Sequence, residues 1–383
     1  MIKFSQPTVV GSESKNISDA IAKGHLSGDG YYSELCHNWF ESQLGCYKAL
    51  LTPSCTSALE MAAILVNIQP GDEVIMPSYT FVSSANAFVL RGAKIVFVDV
   101  RPDTMNIDET LIEPAITSRT KAIVPVHYAG VACDMDVIMD IANRHELYVI
   151  EDAAQGMMAK YKGKALGTIG HLGTYSFHAT KNYTSGGEGG LLIVNDVQFL
   201  DRAEHIREKG TNRTQFIEGK VDKYTWVDIG GSHLPSELQA AYLYAQLNAA
   251  EPINLKRLSA WNVYNSLLKP LAEQDFIDLP TIPKDCEHNA HMFYVKLKNS
   301  VVRSQLISYM EGKGVQTVTH YVPLHSSEYG SKTSRFHGTD NFTTLHSGYL
   351  LRLPMYYGIT SDEISTIVEG IFAFFIKNTS SSV

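Results

Sequence analysis

From about residue 50 to residue 200 the hydrophobic positions fall into two alternating patterns. Short runs rich in β-branched and aliphatic residues, bounded by polar or glycine-containing stretches, read as buried strands over 72–76, 94–100, 122–126, 147–150, 174–177 and 191–194. Between them, 56–66, 83–91 and 135–145 carry apolar residues at helical spacing. Strands and helices in alternation predict parallel βαβ units, hence an α/β fold with a mostly parallel central sheet. Residues 238–247 read as a further helix of the same unit, and 252–268 as a long helix that carries the chain outward. From Ile282 the pattern changes. Strand-like 291–297, a helix near 304–311, strand-like 316–321 and a helix over 362–375 predict a smaller α+β domain. The expected division is a large domain over residues 1–250, N-terminal segment included, and a small C-terminal domain over 251–383. The polar stretch 379–382 reads as a frayed tail.

Composition narrows the class. With 383 residues, 44% of them hydrophobic and 19% charged, the chain can bury a sizeable core and is not a disordered one. Lys plus Arg number 32 against 40 Asp plus Glu, a net charge of −8 that gives no overall positive field for nucleic acid. Any anionic ligand must be held locally. The five cysteines, Cys36, Cys46, Cys55, Cys133 and Cys286, are scattered and form no C-x-x-C, so neither a disulfide framework nor a zinc ribbon is expected. A reducing, cytoplasmic setting fits that usage. The apolar run 371–376 is too short to span a bilayer, so no membrane partner is expected.

Three segments carry candidate chemistry. Ser54-Cys55-Thr56-Ser57 precedes a helix, offering hydroxyls and free backbone N–H groups at its positive end; alone it is equally an ordinary N-cap. Val149-Ile150-Glu151-Asp152 delivers a carboxylate to the C-terminal end of a strand, where ligands of open α/β sheets sit. Asp152 alone would read as a turn or capping residue. Lys181 follows 29 positions later within Ser176-Phe177-His178-Ala179-Thr180-Lys181-Asn182, beside the glycine-dense run 185–190. Because the lysine precedes the glycines, a Walker phosphate loop is rejected, and no G-x-G-x-x-G follows a strand. A lysine for imine chemistry, a strand-end aspartate and a hydroxyl-rich helix start are together what pyridoxal 5′-phosphate requires.

These segments resemble the DegT/DnrJ/EryC1/StrS family of sugar aminotransferases, which are fold-type I pyridoxal phosphate enzymes. The resemblance rests on Leu51-Thr52-Pro53-Ser54-Cys55-Thr56, residues 69–82, Pro125-Val126-His127-Tyr128-Ala129-Gly130, Glu151-Asp152-Ala153-Ala154-Gln155-Gly156, Ser176-Phe177-His178, Thr180-Lys181-Asn182-Tyr183-Thr184 and Gly186-Gly187-Glu188-Gly189-Gly190, and it runs to about residue 375. It implies Lys181 as the lysine that holds the cofactor and moves the proton, Asp152 as the partner of the pyridine nitrogen and Gln155 as a contact to the ring hydroxyl. Thr56, Ser57 and Ser176 match phosphate ligands, and Phe81 matches an aromatic ring against the pyridine face. Ser232 stands where many members carry an asparagine that reaches the cofactor phosphate of the neighbouring subunit, which implies a homodimer with shared active sites.

His127, His178, His320 and His325 show no metal-ligand spacing, so no metal is expected. By resemblance His320, Tyr321 and His325 belong to a segment lining the sugar pocket, and His127 lies over the cofactor. The segment from Arg207 to Arg213, with Lys209 and Asn212, is either a solvated basic turn or a contact to the nucleotide of the substrate. The resemblance implies transfer of the amino group of L-glutamate to a dTDP-linked keto-deoxysugar, dTDP-4-keto-6-deoxy-D-glucose first, giving dTDP-4-amino-4,6-dideoxy-D-galactose, with a 3-keto sugar or C4 amination of gluco stereochemistry as the alternatives. The family's 3-dehydratases replace the lysine by histidine, so Lys181 argues against that class; a non-catalytic regulatory member would not need the intact lysine, aspartate and glutamine set.

Overall fold

The computed structural model describes residues 1–380. An eight-stranded sheet runs in the order Lys48–Thr52, Gly190–Val194, Leu172–Ser176, Tyr148–Asp152, Thr120–Ile123, Glu73–Pro77, Lys94–Val98 and Ser334–Phe336. The first three strands pair antiparallel and all later neighbours parallel. The fold is α/β with a mostly parallel sheet. Successive residues of one strand pack on opposite faces of this sheet: Ile75, Val96 and Ile123 on one, Val74, Met76, Ile95 and Ala122 on the other. Side chains alternate across a strand, so both faces being covered is what makes these runs apolar throughout.

Crossover helices begin where the parallel strands end. Cys55–Leu65 is capped by Ser54, which accepts from Ser57 N–H, and Val82–Val89 starts just past Glu73–Pro77. Met135–Arg144 is capped by Asp134, and Glu237–Asn248 opens with a Ser236/Gln239 capping box. Gly190 explains part of the glycine run: a Cβ there would stand 2.3–2.5 Å from the backbone of Ser54 and Cys55, so only glycine lets this strand pass the start of that helix.

A second core gathers Leu268, Phe293, Val295, Leu306, Leu351, Ile367 and Ile371 around an antiparallel three-stranded sheet of Ile277–Asp278, Phe293–Leu297 and Leu350–Leu353. Ala250–Glu273, Ser300–Gly312 and Ser361–Ser380 are the long helices of this half. Two segments cross between the halves. The first residues of the chain join the second core, Ile2 bridging Val315 and Met355 N–H donating to Phe4 O. Ser334–Phe336 returns to extend the large sheet beside Lys94–Val98.

The six sequence-predicted strands of the large sheet all form, with shifted ends; 94–100, for example, closes at Val98. The expected strand over 316–321 does not form. Only Val318 bridges, to Arg352, because His320 and Tyr321 turn into a cavity described below. Helices Glu13–Lys23 and Tyr31–Leu44 and strands Lys48–Thr52 and Ser334–Phe336 were not predicted. Of the expected tail, Thr379 and Ser380 continue the last helix, and 381–382 lie outside the described residues. Among the described residues no helix is long and apolar enough to cross a membrane.

Candidate active site

A cavity of about 540 Å³ opens at the C-terminal ends of the parallel strands, between the two cores. Its size suits a cofactor or a small substrate. Thr56, Phe81, Asp152, Gln155, Ser176, Lys181, His320 and Tyr321 all line it, so the structure brings together eight of the predicted site residues.

Asp152 ends its strand with both carboxylate oxygens engaged. Oδ1 accepts from Ala154 N–H at 3.1 Å and Oδ2 from the Ser84 hydroxyl at 2.6 Å. With its proton committed to Asp152, Ser84 Oγ accepts from Thr80 Oγ1 at 2.7 Å. The carboxylate is thereby held in one orientation by groups that cannot follow a ligand. Gln155 is also fixed: its Oε1 accepts from Ala129 N–H at 2.7 Å, and its Nε2 donates to the Tyr321 hydroxyl at 3.0 Å. Tyr321 therefore keeps its own proton for the cavity.

Lys181 projects from the turn after Leu172–Ser176, and among the described residues its amine has no hydrogen-bond partner. Burial pushes its pKa below the usual lysine value, against the opposing pull of Cys55 and Asp152. At the other end, the Thr56 and Ser83 hydroxyls lie 2.7 Å apart, one on each of two helix starts. Helix starts offer unpaired backbone N–H groups, so this end suits an anion. Phe81, 57% exposed, stands at the entry of the second of these helices, its ring 6.4 Å from that of Tyr321.

Six predicted contacts lie off the cavity wall. His127 is fully buried beneath it: Nδ1 accepts from Cys133 N–H at 3.2 Å, leaving the Nε2 proton for Glu151 at 2.9 Å, so neither ring nitrogen is free to reach into the cavity. The His325 ring nitrogens are likewise taken, by Ser78 Oγ at 2.7 Å and Asp340 at 3.2 Å. Ser57 Oγ lies 2.6 Å from His233 Nδ1, which turns that hydroxyl away from the cavity. Lys209 pairs with Glu208 on the surface, and Asn212 is buried with its side chain accepting from Thr225 N–H. Ser232 is exposed in this single chain, its backbone bridging to Glu208.

The cavity also contains residues that sequence reasoning passed over. Ser83 and Ser84 follow the predicted strand 72–76 at its functional end, a signal that could have found them. Arg352, His291 and Phe4 come from distant parts of the chain, and no local pattern marks them. Arg352 lies over the Phe4 ring at 4.7 Å and donates through Nε and Nη2 to Thr319 O.

The DegT/DnrJ/EryC1/StrS aminotransferase family model matches residues 8–372. The chain belongs to this family. Spore coat polysaccharide biosynthesis protein SpsC of Bacillus subtilis is 31% identical over 379 residues, covering 97% of this chain and 96% of that protein. The crystal structure of an aminotransferase from Psychrobacter cryohalolentis superimposes with a TM-score of 0.91 at 27% identity, over 97% of this chain and 98% of that one. DesV of S. venezuelae gives 0.86 at 29% identity, over 95% and 94%. This DegT/DnrJ/EryC1/StrS member is thus a fold-type I protein and an aminotransferase by family.

Proposed function

We propose that the chain is a pyridoxal phosphate-dependent transaminase that moves the amino group of L-glutamate onto a nucleotide-linked keto-deoxysugar. The acceptor we favour is dTDP-4-keto-6-deoxy-D-glucose, giving dTDP-4-amino-4,6-dideoxy-D-galactose for surface polysaccharide synthesis. The observation that carries the reading is one cavity holding an unpartnered lysine amine, a rigidly held aspartate and a two-hydroxyl helix-start end. The polysaccharide role printed for SpsC supports the sugar side.

The residues present fit the cofactor chemically. When bound, pyridoxal phosphate supplies a carbonyl for amine exchange and a ring that takes up electron density. Thr56, Ser83 and Ser176 would hold its phosphate, Phe81 would cover the ring, and Tyr321, oriented by Gln155, would offer a proton to an oxygen on it. Asp152, fixed by Ser84 and Ala154, would pair with the nitrogen of its ring. Lys181 is the group that can take a proton from a substrate carbon and return it, since depression of its pKa favours the amine. Arg352 supplies a cation for a donor carboxylate. Incubation with glutamate and the 4-keto or the 3-keto dTDP-sugar, followed by NMR of the product, tests the assignment. An aminated 4-position is expected, and no amination of either sugar would overturn it.

A further inference from the structure

Besides Lys181, Arg352 is the only lysine or arginine among the described residues that line the cavity. Among those residues no ion pair involves it, and the ionisable groups acting on its charge, besides burial, are Tyr128, Tyr321 and Tyr79, all uncharged at neutral pH. Thr319 O accepts from its Nε at 3.2 Å and from its Nη2 at 2.9 Å, so one side of the guanidinium fork is already spent. Of the five N–H groups of an arginine, three are then left, two on Nη1 and one on Nη2. They make up the end of the fork, the edge that meets a carboxylate through two parallel hydrogen bonds. Backbone contacts hold this arrangement on both sides. Val318 and Arg352 exchange N–H···O bonds of 3.2 and 2.8 Å, which sets Thr319 beside the arginine. The Phe4 ring centre lies 4.7 Å from the guanidinium carbon, within range of cation–π attraction. Phe4 is fixed in turn: its N–H donates to Gln316 Oε1 at 3.0 Å and its O accepts from Met355 N–H at 3.1 Å.

We infer that Phe4 is a positioning residue for Arg352: the ring on its face and the Thr319 carbonyl on its side hold the guanidinium so that its free end takes one carboxylate of a dicarboxylic amino donor. The inference deepens the proposed function, resting on Arg352 as the cation for the donor. A segment at the start of the chain thereby becomes part of the substrate site, since Phe4 and Ser5 line the same cavity as Lys181. An unheld arginine loses much rotamer freedom when it binds an anion; one already held by protein contacts loses little, and the difference appears as affinity. The diphosphate of a sugar nucleotide offers the same anionic oxygens as a carboxylate. The hydroxyls of Thr56 and Ser83 stand at the helix starts instead, so the two anions have separate places to bind.

The test is titration calorimetry on the full chain with pyridoxal phosphate added, using two probes: glutarate, a dicarboxylate without an amine, and dTDP. Glutarate affinity is expected to fall about tenfold or more in Arg352→Gln, which removes the charged fork. In Phe4→Leu, which keeps the apolar bulk and loses the aromatic face, a fall of about three- to tenfold is expected. Phe4→Tyr, which keeps the ring, is expected to stay within about twofold of the unaltered chain, a rescue that packing alone would not give. Should Phe4→Leu not fold, Phe4→Met, also without an aromatic face, takes its place. Affinity for dTDP is expected to change by less than about twofold in every variant, and the KM for glutamate to rise without that of the sugar. Glutarate that does not bind the unaltered chain, or binds Arg352→Gln equally well, would overturn the subsite. So would a loss of dTDP affinity in place of glutarate affinity, and equal losses in Phe4→Leu and Phe4→Tyr would overturn the role of Phe4. None of these results touches Lys181 or Asp152. Conversely, a chain that aminates neither sugar yet shows the expected glutarate affinities refutes the reaction and leaves the subsite standing.

Discussion

At the level of single residues, Asp152 and Lys181 have different dependences on their surroundings. Asp152 draws its orientation from Ser84 and Ala154, so its charge and its placement can be perturbed separately. Asp152→Asn keeps the shape and loses the charge; kcat for the glutamate half-reaction is expected to fall by at least about a hundredfold, as for removal of a leading electrostatic contribution. Ser84→Ala leaves the charge and removes one hydrogen bond to it, worth about 1.5–3 kcal/mol, so a smaller loss of about ten- to a hundredfold is expected. Equal losses in the two variants would mean the carboxylate acts through placement alone. Lys181→Ala is expected to bind pyridoxal phosphate in equilibrium dialysis and to show no turnover. Asp152, Gln155 and Lys181 could be read from the sequence because each sits at or just past a strand end, inside a short motif. Ser84 acquires its role only by touching Asp152 from 68 positions away.

Among the elements, the apolar runs of the large sheet were legible because burial on both faces leaves no polar alternation to confuse. Tyr31–Leu44 was not, since only Tyr32, Ser33, Cys36 and Phe40 are buried among polar neighbours and its position is set by a distant carboxylate. That carboxylate is Glu237, 2% exposed at the head of its own helix. It accepts from the N–H groups of Gly30 at 3.0 Å, Tyr32 at 2.7 Å and Ser33 at 3.1 Å, and from the Ser33 hydroxyl. One side chain thus caps a helix 200 residues away. Glu237→Ala would strand those donors, and a destabilisation of about 2–4 kcal/mol is expected in urea unfolding. The segment 316–321 misled in the opposite sense. Its alternation suits a strand, but the side chains that alternate, His320 and Tyr321, serve Tyr128 and Gln155 instead.

For the whole molecule, buried histidines set the acid limit. The His37 pKa is lowered to about 3 and that of His288 to about 4, chiefly by burial. An unfolded chain takes up these protons near pH 6.5 while the folded one does not, so their stabilisation is complete above pH 6.5 and is lost as pH falls towards 4 and 3. Between pH 6.5 and 5, His37 alone accounts for roughly 1–2 kcal/mol, and His37→Asn should flatten the corresponding slope in urea titrations. Assembly belongs to this scale too. Ile217, Tyr224 and Trp226, the last 79% exposed, are exposed apolar residues on the segment that leads to Ser232. With the shared-site homodimer expected from the sequence, Trp226→Glu is expected to shift sedimentation towards monomer and to lower activity in proportion; a fully active monomer would refute that arrangement.

The cavity wall runs from Phe4 to Met355, and Phe4 is held there by Gln316 Oε1 and Met355 N–H. During synthesis, then, the chain makes Lys181 and Asp152 long before it makes the residues that enclose them. A ribosome-bound chain halted at residue 300 can form every parallel strand contact between Glu73 and Ser176, yet Arg352, Tyr321 and His320 do not exist to close the pocket. The pocket around Lys181 is therefore completed only once the chain has run as far as Arg352 and Met355, well after the strands that deliver Lys181 and Asp152.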